Sequence, residues 1–258
     1  MYDEKTPIYF SCPPEYENVE LYSIHDVHYG NECFQQSKWD KLRKEILSEP
    51  NRYCVIVGDM MENAIPNSKS DIFTQTATPM VQQQWVTEQF SNLADRIVAI
   101  IPGNHENNRS TKICGLYPLY DCALIAGVQD KYRQNFAFLD IGVGHGYHEK
   151  NRQIRYAGYL VHKARDNKNF NSADCIDGID FAFYGHDNDP KDHPRAKLVY
   201  DPRNKSVSVK NVEVINNGAF LDYGGYASTS GYRPVASKMY KLILDGKHKS
   251  IQTVGFYL

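Results

Sequence analysis

Five stretches of this 258-residue chain end an apolar run with side chains able to hold a metal ion or move a proton. The first is Asp26-Val27-His28, where a carboxylate and an imidazole two positions apart in a loop turn toward one point. Taken alone, the pair is a weak signal, and the plainer reading is an N-capping Asp and a surface His. The second is Asp59, which closes the run YCVIVGD. A carboxylate at the end of a buried strand is costly unless ionically compensated, and Gly58 before it allows close backbone approach. Alone, it is also an ordinary turn residue. The third is PGNHE after IVAII. Asn104 offers a neutral amide oxygen, His105 an imidazole suited to proton transfer, and Gly103 a tight turn. A β-turn with an exposed His explains that stretch too. His162 in YLVHK and His186 in FYGHD complete the set. A lone His at a strand end is more often structural. Five strand ends each presenting a ligand type form a constellation that chance rarely supplies.

The elements that position these residues follow from the apolar pattern. VELYSIHD, SKWDKLRKEILSEP, RYCVIVGDM, PMVQQQWVTEQFSNLAD and RIVAIIPGNHE give a βαβαβ rhythm and a mostly parallel sheet. The first helix takes Ser37 as its N-cap, buries Trp39, Leu42, Ile46 and Leu47 on one face and stops before Pro50. Ligand sites in open α/β sheets gather outside the carboxyl ends of strands, which is where the motifs fall. After a helix around Tyr117 to Ala126, the second half turns to short β runs, with hairpin turns at DPRNKS and LDGKHK. These predict a second, more antiparallel sheet closing a sandwich. With no repeat, low-complexity tract or linker, residues 1–258 read as one domain.

Composition sets the class but names no partner. The chain is 41% hydrophobic and 23% charged, as in ordinary globular proteins. A net charge of -2 gives no whole-surface attraction to nucleic acid or anionic lipid. The start MYDEKTPIYFSC is acidic where a secretory signal is basic, and no apolar run approaches the roughly 18 residues of a membrane span. The expected location is the cytoplasm, with no membrane partner. Six scattered cysteines without a CxxC pair read as reduced thiols, Cys54 among them buried in a strand.

The order DxH, GD, GNHE, H, GH resembles the calcineurin-like metallophosphoesterases over nearly the whole chain. GDMMENAIPNSKSDIFTQT and GGYASTSGYRPV further resemble single-domain members from bacteria and their phages. The resemblance implies an α/β fold: a four-layer αββα sandwich of two mixed β-sheets flanked by helices. It implies a metal-dependent phosphodiesterase in which two metal ions deliver a hydroxide to the phosphorus. Asp26 and His28 would hold the first metal, Asn104, His162 and His186 the second, and Asp59 would bridge them. His105 would be the general acid. Two cations about 3.5–4 Å apart can clamp an in-line displacement at phosphorus. The imidazole and oxygen ligands suit manganese, iron, zinc or nickel better than magnesium or calcium without choosing among them, and manganese is the expected ion. The implied partner is a phosphoester substrate, a nucleotide or a nucleic acid.

One position departs from that pattern. The family ends its ligands with GHxH, whose second His completes the first site, whereas this chain reads GHDND and places Asn188 there. An amide oxygen is a weaker transition-metal ligand than imidazole. Three readings stand: a natural variant with a weak first site, a disabling substitution, or replacement by Asp187, Asp189 or His193. The alternative function is then a weakened scaffold that binds a phosphorylated ligand or partner.

Substrate clues are broader. From Tyr147 to Lys168, six basic residues (Lys150, Arg152, Arg155, Lys163, Arg165, Lys168) face two acidic ones (Glu149, Asp166). With Tyr147, Tyr156 and Tyr159 interleaved, this is either a guide for phosphodiesters or a solvated face. Tyr184, Tyr223, Tyr226 and Tyr232 are either stacking residues or half-buried sheet residues.

Overall fold

The alternating pattern of the first half builds parallel strands around buried β-branched side chains. In the computed structural model the described residues are 4–66, 68, 70–145, 152–163 and 172–258. After β1 (Ile8–Ser11), strands β2 (Asn18–Ile24), β3 (Arg52–Val57) and β4 (Ile97–Ile101) run parallel, with Ile24 opposite Ile56 and Val57 opposite Ile101. All five residues of β4 are buried, as a strand covered on both faces requires. Helix α1 (Gln36–Leu47) joins β2 to β3, and α2 (Pro79–Asn92) joins β3 to β4.

Two details of α1 differ from the sequence reading. Gln35 is the N-cap and makes no side-chain cap bond, so Ser37 lies inside the helix. Trp39, Leu42 and Ile46 are buried, but Leu47 is exposed because it is one residue past the inward row. The second helix is capped more firmly: the Thr78 side chain accepts from the Val81 N–H, and Pro79 opens the first turn.

After β4 come a short turn α3 (Asn104–Glu106), a π-helical turn Asn107–Thr111, α4 (Lys112–Cys114) and α5 (Pro118–Ile125). The remaining strands are β5 (Phe136–Val143), β6 (Ile154–Val161), β7 (Phe181–Tyr184), β8 (Lys191–Asp192), β9 (Arg195–Asp201), β10 (Ser206–Asn216), β11 (Lys238–Asp245) and β12 (Ile251–Tyr257). They do not all enter one sheet, as the sequence reading expected. The seven-stranded mixed sheet runs β1-β5-β6-β7-β10-β8, with β9 on β10, while β11 and β12 extend the first sheet as β12-β11-β2-β3-β4. Burial restricts β11 to a covered position, and its pairing with β2 sets which sheet it joins. Met239 packs toward the helices while Leu242 and Leu244 pack toward the second sheet, so β11 needs a position covered on both faces.

The fold is α/β with two mixed sheets and helices. One core lies between the sheets, with Leu21, Val55, Ile101, Phe181 and Ile215 in it. A second lies between the five-stranded sheet and α1, α2 and α5, around Trp39, Phe90 and Leu119. A third, smaller one, with Tyr159, Ala182 and Tyr184, lies against the 3-10 turn Ser172–Cys175. Stacking the sheets brings the ends of β2, β3, β4, β6 and β7 to one edge of the sandwich, where the motif residues sit.

Candidate metal centre

The backbone at these strand ends is held in a conformation that side chains ordinarily avoid. Asp26 (φ 49°), His28 (φ 52°), Asp59 (φ 51°) and His186 (φ 72°) are all left-handed. Such residues cost about 1–3 kcal/mol each and persist only where their surroundings over-determine them. Here they do. Asp26 N–H donates to Gly58 O at 3.1 Å and His28 N–H to Asp59 O at 3.0 Å, which zips the first loop to the second. Gly58 (φ 87°) and Gly103 allow the next approach: a Cβ on Gly103 would lie 2.0 Å from Asp59 Oδ1.

A buried carboxylate that the sequence reading gave no role ties the second loop to the third. Glu106 accepts from the backbone N–H groups of Asp59 (3.0 Å), Gly103 (2.8 Å) and Met61 (3.1 Å). Its signal was a Glu three residues after the turn glycine, the spacing that returns a carboxylate to a helix start. Asp59 Oδ1 in turn accepts from the His105 N–H at 2.8 Å.

The side chains converge. Nitrogen and oxygen atoms of His28, Asp59 and His105 all lie within 4.8 Å of one another, and so do those of Asp59, His162 and His186. Asp59 is common to both groups. His162 Nε2 is 3.2 Å from Asp59 Oδ2 and 3.1 Å from Asn104 Oδ1, while Asp26 Oδ1 is 3.5 Å from His28 Nε2. Atoms about 2.0–2.2 Å from a shared cation stand roughly 3–3.5 Å apart, so these spacings fit metal ligands.

The hydrogen bonds assign the lone pairs. His162 Nδ1 lies 2.6 Å from the carbonyl of Val57 and must carry a proton to donate to it. Its Nε2 then faces only acceptors, Asn104 Oδ1 and Asp59 Oδ2. Something positive belongs between them, either a proton or a metal ion. His28 is placed differently: its Nε2 faces Asp26 Oδ1 at 3.5 Å, and its buried Nδ1, which makes no hydrogen bond among the described residues, faces Glu62 Oε2 at 3.5 Å.

Electrostatics in the metal-free protein answer with protons. Burial opposes the charged form of His162, but the Asp59 carboxylate outweighs it and lifts the pKa to about 10. At His28 burial again opposes charge, and Asp26, Glu62 and Asp59 together raise the pKa to about 9. Burial also disfavours the ionised forms of Asp26 and Asp59. The hydrogen bonds of His25 and His28 hold Asp26 well below the usual carboxylate range, and His105 and His162 do the same for Asp59.

His105 differs from its neighbours. Burial, aided by the positive charges of His28 and Arg109, lowers its pKa to about 4 despite Asp59. Its Nδ1–H donates to Glu62 O at 2.7 Å, and Nε2 accepts from Arg109 Nη2 at 3.0 Å. A nitrogen already taken by a guanidinium is a poor metal ligand, which separates His105 from His28 although their rings are 4.4 Å apart. Arg109 also donates to Glu62 Oε1 at 3.2 Å. Nothing local in the sequence singled out Arg109 or Glu62.

Asn188 is half-buried, and its Oδ1 is buried without a hydrogen-bond partner among the described residues. Two of its neighbours are otherwise engaged: Asp187 pairs with Lys191, and Asp189 pairs with Arg233 at 2.7 Å. His193 is exposed.

The interleaved tyrosines resolve toward packing. Tyr156 is fully buried and its hydroxyl meets the carbonyls of Asp245, His248 and Ser250. Tyr159 and Tyr184 belong to the outer core, and Arg155 pairs with Asp140 at 2.7 Å. Tyr147, Glu149, Lys150, Arg165, Asp166 and Lys168 lie outside the described residues. Tyr223, Tyr226 and Tyr232 are exposed, against the half-buried sheet role.

A family model described as calcineurin-like phosphoesterase matches residues 24–217. Among solved structures, Vps29 of Chaetomium thermophilum is similar at 9% identity and a TM-score of 0.41, with 93% of this chain and 98% of that chain covered. No curated protein matches.

Proposed function

The chain belongs to the calcineurin-like phosphoesterase family, and from that premise we propose that it is a metal-dependent phosphodiesterase acting on nucleotide or nucleic-acid diesters. The observation that carries the reading is the set of unmatched lone pairs around Asp59. One further carboxylate (Asp26), one amide (Asn104) and three imidazoles (His28, His162, His186) gather about it, and of these only His28 and His162 have pKa values raised to favour a compensating proton.

Asp26, His28, Asp59 and Asn188 would hold one cation, and Asp59, Asn104, His162 and His186 the other. Manganese is the proposed ion, and the same mixed imidazole and oxygen ligands would also accept iron, zinc or nickel. When bound, two such cations lower the pKa of water and neutralise charge on phosphoryl oxygens.

The chain's own residues supply the rest. His162 and His105 are fixed by their Nδ1–H bonds to Val57 O and Glu62 O, so each presents Nε2 to the site. Arg109 beside His105, and Lys163 near His186, place positive charge where an anionic phosphoester would arrive. His105 is the proposed general acid. Its Nδ1–H stays bonded to Glu62 O; once Arg109 turns to the phosphoester, Nε2 takes a second proton from solvent and passes it to the leaving oxygen, which returns His105 to the neutral ring. No helix among the described residues is long and apolar enough to cross a membrane, and the six free cysteines support a reducing, cytoplasmic setting.

The test is hydrolysis of bis-p-nitrophenyl phosphate and of p-nitrophenyl phosphate by manganese-loaded protein. Turnover of the diester that chelation removes and manganese restores supports the reading. No turnover of either ester under manganese, iron, zinc or nickel contradicts it. Asn188 favours a second reading, a binding module that keeps one cation and recognises a phosphorylated ligand. If Asn188→His raises neither bound metal nor turnover, the weak-site explanation for that position fails.

A further inference from the structure

His25, which precedes the first ligand motif, has a role that nothing above assigns. We infer that His25 and Asn217 form a positioning relay that presents a single oxygen of Asp26 to the cation, an inference that rests on the metal reading of that site. The His25 ring is fully buried, and both its nitrogens are assigned by their partners. The backbone N–H of Asn217 donates to Nε2 at 3.0 Å, so Nε2 carries a lone pair. The proton therefore sits on Nδ1, which donates to Asp26 Oδ2 at 2.6 Å.

That same oxygen accepts a second bond, from the His186 N–H at 2.8 Å. Oδ2 is thereby saturated. Oδ1 is left facing His28 Nε2 at 3.5 Å, and Asp26 is a one-oxygen ligand by construction. The consequence reaches across the centre: the carboxylate of the first cation's ligand fixes the backbone of His186, a ligand of the second.

The relay is rigid at its far end. Asn217 Nδ2 donates to Ser23 O at 3.0 Å and Ser23 Oγ at 2.8 Å, and Asn217 Oδ1 accepts from Tyr240 N–H at 2.7 Å. The end of β10 is thus locked to β2 and β11, and its own N–H cannot leave His25 without breaking that lock. Packing fixes the ring as well. A Cβ at Gly185 would lie 3.1 Å from His25 Cβ, Cγ and Nδ1, tighter than an ordinary van der Waals contact, so the imidazole is packed closely against this glycine. Outer partners that orient a metal ligand change metal affinity, whereas a buried ring that only fills space changes stability alone.

The experiment titrates Mn2+ into the metal-depleted full chain by calorimetry, comparing wild type with His25→Phe, which keeps a ring but donates nothing, and with His25→Gln, which keeps a donor. His25→Phe weakens one of the two binding events about 10–100-fold and leaves the other within a few-fold, and His25→Gln falls between it and wild type. Wild-type constants in His25→Phe overturn the relay. A wild-type chain that binds no Mn2+ under the same conditions overturns the metal reading itself. Should His25→Phe not fold, 15N-detected NMR of the zinc-loaded wild type decides. A His25 imidazole protonated on Nδ1 supports the relay, and one protonated on Nε2 contradicts it.

Discussion

Asp59 is common to both groups of side chains that could hold a metal ion, so under the proposed two-cation reading its removal has an effect no other single side chain shares. Asp59→Ala should abolish turnover and remove both bound cations, measured by elemental analysis after dialysis. His105→Ala should lower kcat by about 10^2–10^4-fold while leaving metal content unchanged, because its nitrogens are bonded to Glu62 O and Arg109. The imidazoles also make the metal-free protein sensitive to pH. His28 and His162 have folded-state pKa values raised from 6.5 to about 9 and about 10. Their stabilisation is therefore complete below pH 6.5 and is lost as pH rises through 9 to 10. The Tm of chelated protein should fall across that window, and His162→Asn should flatten the fall. An equal slope in both proteins would remove His162 as its source. At this scale the residues that the structure brings together, His28, Asp59, His105, His162 and His186, were legible in the sequence because each motif closes an apolar run. His25, Glu62 and Arg109 were not, since their roles depend on partners such as Asn217, 192 residues away.

At the scale of elements, the centre depends on loops clamped together by backbone contacts. Glu106 takes three buried N–H groups from the second and third loops. Glu106→Ala should therefore cost about 1–3 kcal/mol for each donor left without a partner, read from denaturant unfolding. Trp39→Ala, in the helix that covers β2 and β3, should cost about 3–5 kcal/mol by the same measurement, with turnover per folded molecule unchanged. The parallel strands were readable because β3 and β4 are continuous apolar runs, and α2 because the stretch PMVQQQWVTEQFSNLAD falls between them in the βαβαβ rhythm. The destination of β11 was not. A strand with apolar residues facing both ways fits the middle of either sheet, and only its pairing with β2 decides between them. The start of α1 was displaced from Ser37 because no side chain caps it.

For the whole molecule, two sheets packed face to face gather five strand ends at one edge, and strain there is held by contacts between loops distant in sequence. The family was legible from motif order and the α/β class from the βαβαβ alternation of apolar runs. The substrate was not, because Tyr156 and Tyr159 turned out to be core residues rather than a stacking surface. Cation binding to such an edge ties β2, β3, β4, β6 and β7 together only in the folded state, so it should raise Tm. At a free concentration about 100 times Kd the gain is about 2.7 kcal/mol per site. The central claim is that Asp59 joins two cation sites, and calorimetric titration of the metal-depleted chain with Mn2+ tests it most directly. The account predicts two binding events in the wild type, both lost in Asp59→Ala. Fewer than two events in the wild type, or two that survive Asp59→Ala, would contradict it.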